Sequence, residues 1–136
     1  MDTLALDLVG LRQAIHSSLS TELLSPSQRA MIRPGDHPTK GHCAVATEAA
    51  YHLLGGKESG WIPTVLPRKV LGYTTHWWLR NPATGECFDP TSEQFPDGVP
   101  YHLGKGCGFQ GRPGVPSKRA KIVIGRVRSA LSSREP

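Results

Sequence analysis

The chain has 136 residues, 38% of them hydrophobic, and a net charge of +5 at neutral pH. That length favours one domain over residues 1–136 with a core of its own, and no apolar run approaches the ~20 residues of a bilayer-spanning helix, so no membrane partner is expected. The Met1-Asp2 start lacks a signal peptide's basic-then-apolar layout, and three cysteines fit a reducing compartment better than a disulfide framework, which points to a cytoplasmic protein.

Residues 1–38 read as an N-terminal helical segment. Leu4, Leu8, Leu11, Ile15 and Leu19 recur at helical spacing, which predicts a structural amphipathic helix over 3–19. Ser25-Pro26-Ser27-Gln28 carries a serine cap, an early proline and a glutamine three after the cap, predicting a short helix that Pro34-Gly35 ends. A core over 39–95 follows. From Cys43, small residues and leucines recur every three to four positions up to Gly55, so a helix should open at Cys43, with Thr39 as a cap, and stop at Gly55.

The pattern then changes to strands. Residues 61–66 form one, which Pro63 would confine to an edge or a bulge. Residues 70–80 form the strongest, Asn81–Gly85 a turn, and Glu86–Asp89 the return. Thr91-Ser92-Glu93-Gln94 suggests a helical turn ending near Phe95. Residues 96–116, rich in glycine and proline, read as irregular loop. In the basic segment 117–136, Ser117 caps a helix with Ala120, Ile124, Val127 and Leu131 on one face; Gly125 and Ile122-Val123-Ile124 leave a strand over 120–127 as the rival. The layout is α+β: N-terminal helices, with the cysteine helix packed on a small antiparallel sheet.

Cys43 is the candidate nucleophile. A helix N-terminus carries partial positive charge and open N–H groups, which favour a thiolate and can face an oxyanion. With the hairpin turn centred on residues 82 and 83, His76 falls opposite Asp89, giving a general base with an orienting carboxylate. Trp78 shares a strand face with His76 and is a candidate wall of the site, while Trp77 points away into the core. His42, beside the nucleophile, and Gln94 are further substrate or oxyanion candidates, although Gln94 also fits the reciprocal half of a cap. His37 and His42 otherwise read as solvated loop residues, His52 as structural, Cys87 as packing, and Cys107 as a second thiol or a small loop residue. His42, Cys43, His76, Cys87 and Cys107 show no C-x-x-C or H-x-x-x-H spacing, so neither a metal nor another cofactor is expected. Lys118, Arg119, Lys121, Arg126, Arg128 and Arg134 have no aromatic residues interleaved, and read first as a solvated helix face. The alternative is a footprint for nucleic acid or an acidic partner.

Gly41-His42-Cys43-Ala44-Val45-Ala46, Thr75-His76-Trp77-Trp78 and Phe88-Asp89-Pro90-Thr91-Ser92-Glu93-Gln94-Phe95 resemble the YunG-like proteins and a set of small phage proteins. Gly106-Cys107-Gly108-Phe109 and Pro116–Ala120 are similar to the phage set as well, so the likeness spans about residues 40–121. More distantly, the order Cys, His, Asp on helix, strand, strand resembles papain-like and transglutaminase-like thiol enzymes. That resemblance implies Cys43 as nucleophile, His76 as base and Asp89 as orienter. Where papain-type enzymes carry an oxyanion glutamine, this chain has His37, Thr39 and Lys40. The expected activity is a cysteine-dependent hydrolase or acyl transferase on a protein or peptide-like substrate: a peptidase, isopeptidase or amidase, placed in the host cytoplasm if phage-encoded. The alternatives are a glutamine deamidase or transglutaminase, and a non-catalytic papain-like module whose basic C-terminal segment binds nucleic acid or an acidic partner.

Overall fold

The structure, a computed structural model, describes residues 8–32, 34, 42–67, 75–92, 95, 98–106 and 114–132. Among them are four α-helices and a four-stranded antiparallel sheet, an α+β arrangement. The helices are α1 (Leu8–Ser18), α2 (Pro26–Ala30), α3 (Cys43–Leu53) and α4 (Lys118–Ser132). The strands are β1 (Ile62–Leu66), β2 (His76–Arg80), β3 (Cys87–Phe88) and β4 (Lys105–Gly106), in the order β3-β2-β1-β4.

Local sequence explains most of these boundaries. In α2, Ser25 Oγ accepts from Gln28 N while Ser25 N donates to Gln28 Oε1, the reciprocal cap that the four-residue motif predicts. Helix α3 ends at Gly55, whose φ of 117° lies in the left-handed region that glycine enters without a Cβ clash. At its other end the N-cap is His42, with no side-chain cap bond, rather than Thr39.

The 120–127 stretch is helical. Ser117 Oγ accepts from Ala120 N, and Glu48 of α3 receives both Ser117 N, at 2.6 Å, and Ser117 Oγ, at 2.7 Å. A carboxylate at a helix N-terminus satisfies open donors and complements the dipole. This buried link from α3 outweighs the strand propensity of Ile122-Val123-Ile124. The buried face of α4 is Ala120, Val123, Ile124 and Val127.

The core lies where α3 is held between β2 and α4, with α1 packed across both helices. Ala46, Ala49 and Ala50 let α3 approach closely; Leu11, Ile15, Leu79, Phe88, Val123 and Val127 fill the remaining volume. Thr47 Oγ1 donates to the Trp77 carbonyl and fixes α3 along β2. The described part of α1 starts at Leu8, and residues 70–74 of the expected strand lie outside the described residues.

Strand β1 is interior rather than an edge, since β2 and β4 flank it. Pro63 is accommodated because the described β4 pairs only with Thr64 and Val65. Strand β4 and a 3-10 turn at Tyr101–Leu103 also show that 96–116 is not wholly irregular. Two-residue elements leave no periodicity to read.

Gly104 links that turn to β4 and passes flush over Trp78. A Cβ there would sit 2.3 and 2.6 Å from Trp78 Cζ2 and Cη2, and 2.8 Å from Thr64 Cγ2. Its φ of −74° suits any residue, so the constraint is contact and not backbone strain. Gly104→Ala is expected to cost about 1–3 kcal/mol by overpacking. An unchanged urea midpoint in that variant would show that Trp78 has room to move.

Candidate active site

The site is built where the start of α3 meets the start of β2. Cys43 is the first residue of α3, and the first helical bond runs from Ala46 N to the His42 carbonyl. The amides of the opening turn therefore have no partner within the helix. Cys43 is half-buried, and its Sγ–H points to the Thr75 carbonyl at 3.8 Å, a long sulfur hydrogen bond that places the sulfur beside the first residue of β2.

That residue is His76, which is fully buried. Its Nε2–H donates to Asp89 Oδ2 at 2.7 Å. The pairing arises by a different register from the one expected. Leu79 faces Phe88 and Arg80 faces Cys87, so Asp89 lies level with Trp78 and two residues from His76. The hairpin closes through Asn81 N to the Glu86 carbonyl, with a four-residue loop. A two-residue shift leaves every side chain on its face, so the diagonal pair still meets.

Asp89 is buried and well supplied with donors. Oδ2 also accepts from Tyr101 Oη at 3.1 Å, and Oδ1 accepts from Thr91 N at 3.1 Å. Tyr101 was not singled out in the sequence; it sits in the stretch read as loop. Its hydroxyl is held well above the ordinary phenol range by burial, and then by the Asp89 charge. Edge-on contact with Trp78 at 5.0 Å fixes its ring.

The imidazole is boxed by rings. Phe95 meets it edge-on at 4.5 Å, and Trp78 lies tilted at 5.7 Å. Burial by itself lowers the histidine's proton affinity. The hydrogen bond to Asp89, the neighbouring Cys43 sulfur and the Asp89 charge outweigh this and push His76 up to about 9. The surroundings, a carboxylate and a sulfur, thus favour the protonated ring. His76 Nδ1 holds no hydrogen bond of ordinary geometry, so its contact with Cys43 is looser than the bond to Asp89. Such bonds are often long without substrate.

Among the described residues, the buried side-chain polar atoms left without a hydrogen-bond partner are His76 Nδ1, Trp78 Nε1 and Thr91 Oγ1. All three belong to the strand start and hairpin segment that carry His76 and Asp89. Unsatisfied buried groups are rare and concentrate where a site has work other than stability.

The remaining candidates are placed differently. His42 is 1% exposed and its Nε2 meets the Ser20 carbonyl at 3.0 Å, so it anchors the entry to α3 rather than being solvated. Trp78, fully buried beneath Gly104, lies beside the His76 ring on the strand face they share, while Trp77, on the other face, is half-buried rather than in the core. Cys87 is exposed, and its thiol is pushed up by burial and the Asp89 charge against Arg80 and Trp78. His52 is half-buried, edge-on to Tyr51. Gln94, His37, Thr39, Lys40, Cys107 and Arg134 lie outside the described residues.

On α4, Lys118, Arg119, Lys121 and Arg128 are exposed, whereas Arg126 turns inward to the Ser18 carbonyl, Ser20 Oγ and Glu22. A concavity of about 450 Å³ lined by His52, Lys121, Gly125 and Arg128 opens beside α4. Its His52 is nine residues along α3 from Cys43, or ~14 Å at 1.5 Å per residue. The described residues hold no group of three or more metal-ligating side chains and no helix long and apolar enough to cross a membrane.

Set against known protein families, curated proteins and solved structures, the chain matches none, so the α+β fold and the Cys43–His76–Asp89 cluster rest on its own residues.

Proposed function

We propose that the chain is a cysteine-dependent hydrolase or acyl transferase acting on an amide or ester of a protein or peptide-like substrate. The observation that carries the reading is the buried His76, bonded through Nε2 to Asp89, with Nδ1 free of any hydrogen bond of ordinary geometry and Cys43 close enough to raise its proton affinity. The resemblance to papain-like thiol enzymes agrees with it.

In this reading the Cys43 thiolate attacks the carbonyl carbon, and the carbonyl π pair moves to oxygen. The Cys43 N–H at the opening of α3 faces that oxyanion. The oxyanion collapses, the bond to the amine or alcohol breaks, and the leaving group takes the proton from His76. Water, giving its proton back to His76, then attacks the thioester. The C–S bond breaks and the acid leaves. Asp89 keeps the ring oriented and balances its charge throughout. A glutamine deamidase or transglutaminase would form the same thioester with release of ammonia, so ammonia detection separates it from a peptidase.

Iodoacetamide at near-neutral pH tests the thiol. Cys87 is the more exposed of the two described cysteines, so labelling governed by access would reach it first. We expect Cys43 to be labelled first, because reactivity follows thiolate content. Peptide mapping that finds Cys87 equal or faster would remove the activated thiolate. Labelled acyl, ubiquitin-like and glutamine probes, with Cys43→Ala as control, would identify the substrate class. The non-catalytic alternative draws on Lys118, Arg119, Lys121 and Arg128, and predicts nucleic-acid binding that falls steeply with salt and survives Cys43→Ala.

A further inference from the structure

We infer that helix α1 is a positioning element for the candidate catalytic acid, acting through Arg12 and His16 on the backbone that carries Asp89. This deepens the cysteine-enzyme reading and rests on it for its catalytic meaning. Arg12 Nη1 donates to the Asp89 carbonyl oxygen at 2.6 Å, and Arg12 Nη2 donates to Ser92 Oγ at 2.8 Å. One turn further along α1, His16 Nε2–H donates to the Pro90 carbonyl oxygen. Residues four apart on a helix lie on one face, so the two side chains grip consecutive peptides of one segment.

These contacts span more than seventy residues of sequence and meet a segment that needs them. Strand β3 ends at Phe88, so Asp89 lies just beyond the sheet ladder, where no strand pairing holds its backbone. Pro90 supplies no N–H of its own. The carboxylate must nevertheless stay within hydrogen-bond reach of a ring fixed on β2. Tyr101 and Thr91 hold the carboxyl oxygens, while α1 holds the Asp89–Pro90 and Pro90–Thr91 peptides. The guanidinium fork is suited to bridging two acceptors with fixed separation, which a lysine ammonium does not reproduce. Helix α1 is itself seated by Leu11, Ala14 and Ile15 in the core, so the grip is anchored to the rigid part of the molecule.

The test reads His76 directly. In protein labelled at histidine, NMR follows the imidazole through pH in the wild type, Arg12→Gln and Arg12→Lys. The groups facing the ring are Asp89 and Cys43, with Tyr101 reaching it through Asp89. Loosening the segment in Arg12→Gln should move the His76 midpoint down by at least about one unit and slow Cys43 alkylation roughly tenfold. Arg12→Lys should recover part of each. A purely structural Arg12 would lower the urea midpoint and leave the His76 midpoint in place, and that result overturns the inference. If Arg12→Gln does not fold, Ser92→Ala and His16→Ala each remove one contact and are read in the same way. Should wild-type Cys43 prove no more reactive than Cys87, the enzyme reading fails, while the His76 midpoint still decides whether α1 positions Asp89.

Discussion

Replacing His76 by alanine is expected to slow alkylation of Cys43 at pH 7 by about tenfold and to lower turnover of an acyl substrate by about a thousandfold. The two numbers differ because they read different things. Alkylation reports how much of the sulfur is ionised, and a thiol without a partner is only a few per cent thiolate at that pH. Turnover also needs a proton delivered to the leaving group, then one taken from water. His76 is fully buried against Asp89, so the alanine variant leaves a carboxylate facing a cavity and threatens the fold. His76→Gln separates the effects. Its side-chain N–H can still serve Asp89, but it carries no exchangeable proton at neutral pH. A folded His76→Gln protein with wild-type alkylation and turnover would remove His76 from the base role.

The cysteine, the histidine and the aspartate were legible in the sequence because each sits at an element boundary with a strong local signal. A run of small residues marks α3, a β-branched and aromatic run marks β2, and Asn81-Pro82-Ala83-Thr84-Gly85 marks the hairpin. The register was not legible. Loop length decides it, and this loop closes at Asn81 and Glu86, two residues beyond the expected pairing. The site survived because strands repeat every two residues. What the sequence hid were the supports. Tyr101 comes from a stretch with no periodicity, and Arg12 lies in a helix whose only readable message was its apolar stripe. Hydrogen bonds between residues seventy-seven apart, such as Arg12 to Asp89, leave no mark in local pattern. His42 was misread for the same reason: its burial depends on the distant Ser20 carbonyl.

With Cys43 replaced by serine, stability should fall as pH rises from 6.5 to 9, and adding Asp89→Asn should flatten that fall. His76 is raised to about 9 in the folded chain, against 6.5 for an ordinary histidine. Below pH 6.5 both folded and unfolded chains carry the proton, and the contribution is fully present. Between 6.5 and 9 the folded chain alone retains it, so each added unit of pH costs about 1.4 kcal/mol, and the loss is complete above 9. The total is at most on the order of 3 kcal/mol, since the Cys43 sulfur supplies part of the shift, and it is a large share of a small domain's stability. Cys43 is replaced because a thiolate there in the folded chain would offset the same slope, and the remaining neighbours act outside the window. His52 is lowered by burial, so its effect is confined below pH 6.5, and Tyr101, raised above the phenol range, acts only beyond pH 10. Cys87 is raised from an ordinary value of 9, so the scan stops at pH 9. Without the Asp89 charge, burial dominates and His76 loses its proton at lower pH, which moves the slope out of the window. Urea midpoints at pH 6.5 and 9 for Cys43→Ser with and without Asp89→Asn decide the matter. Parallel curves for the two proteins would mean that the imidazolium–carboxylate pair is not what ties this fold to pH.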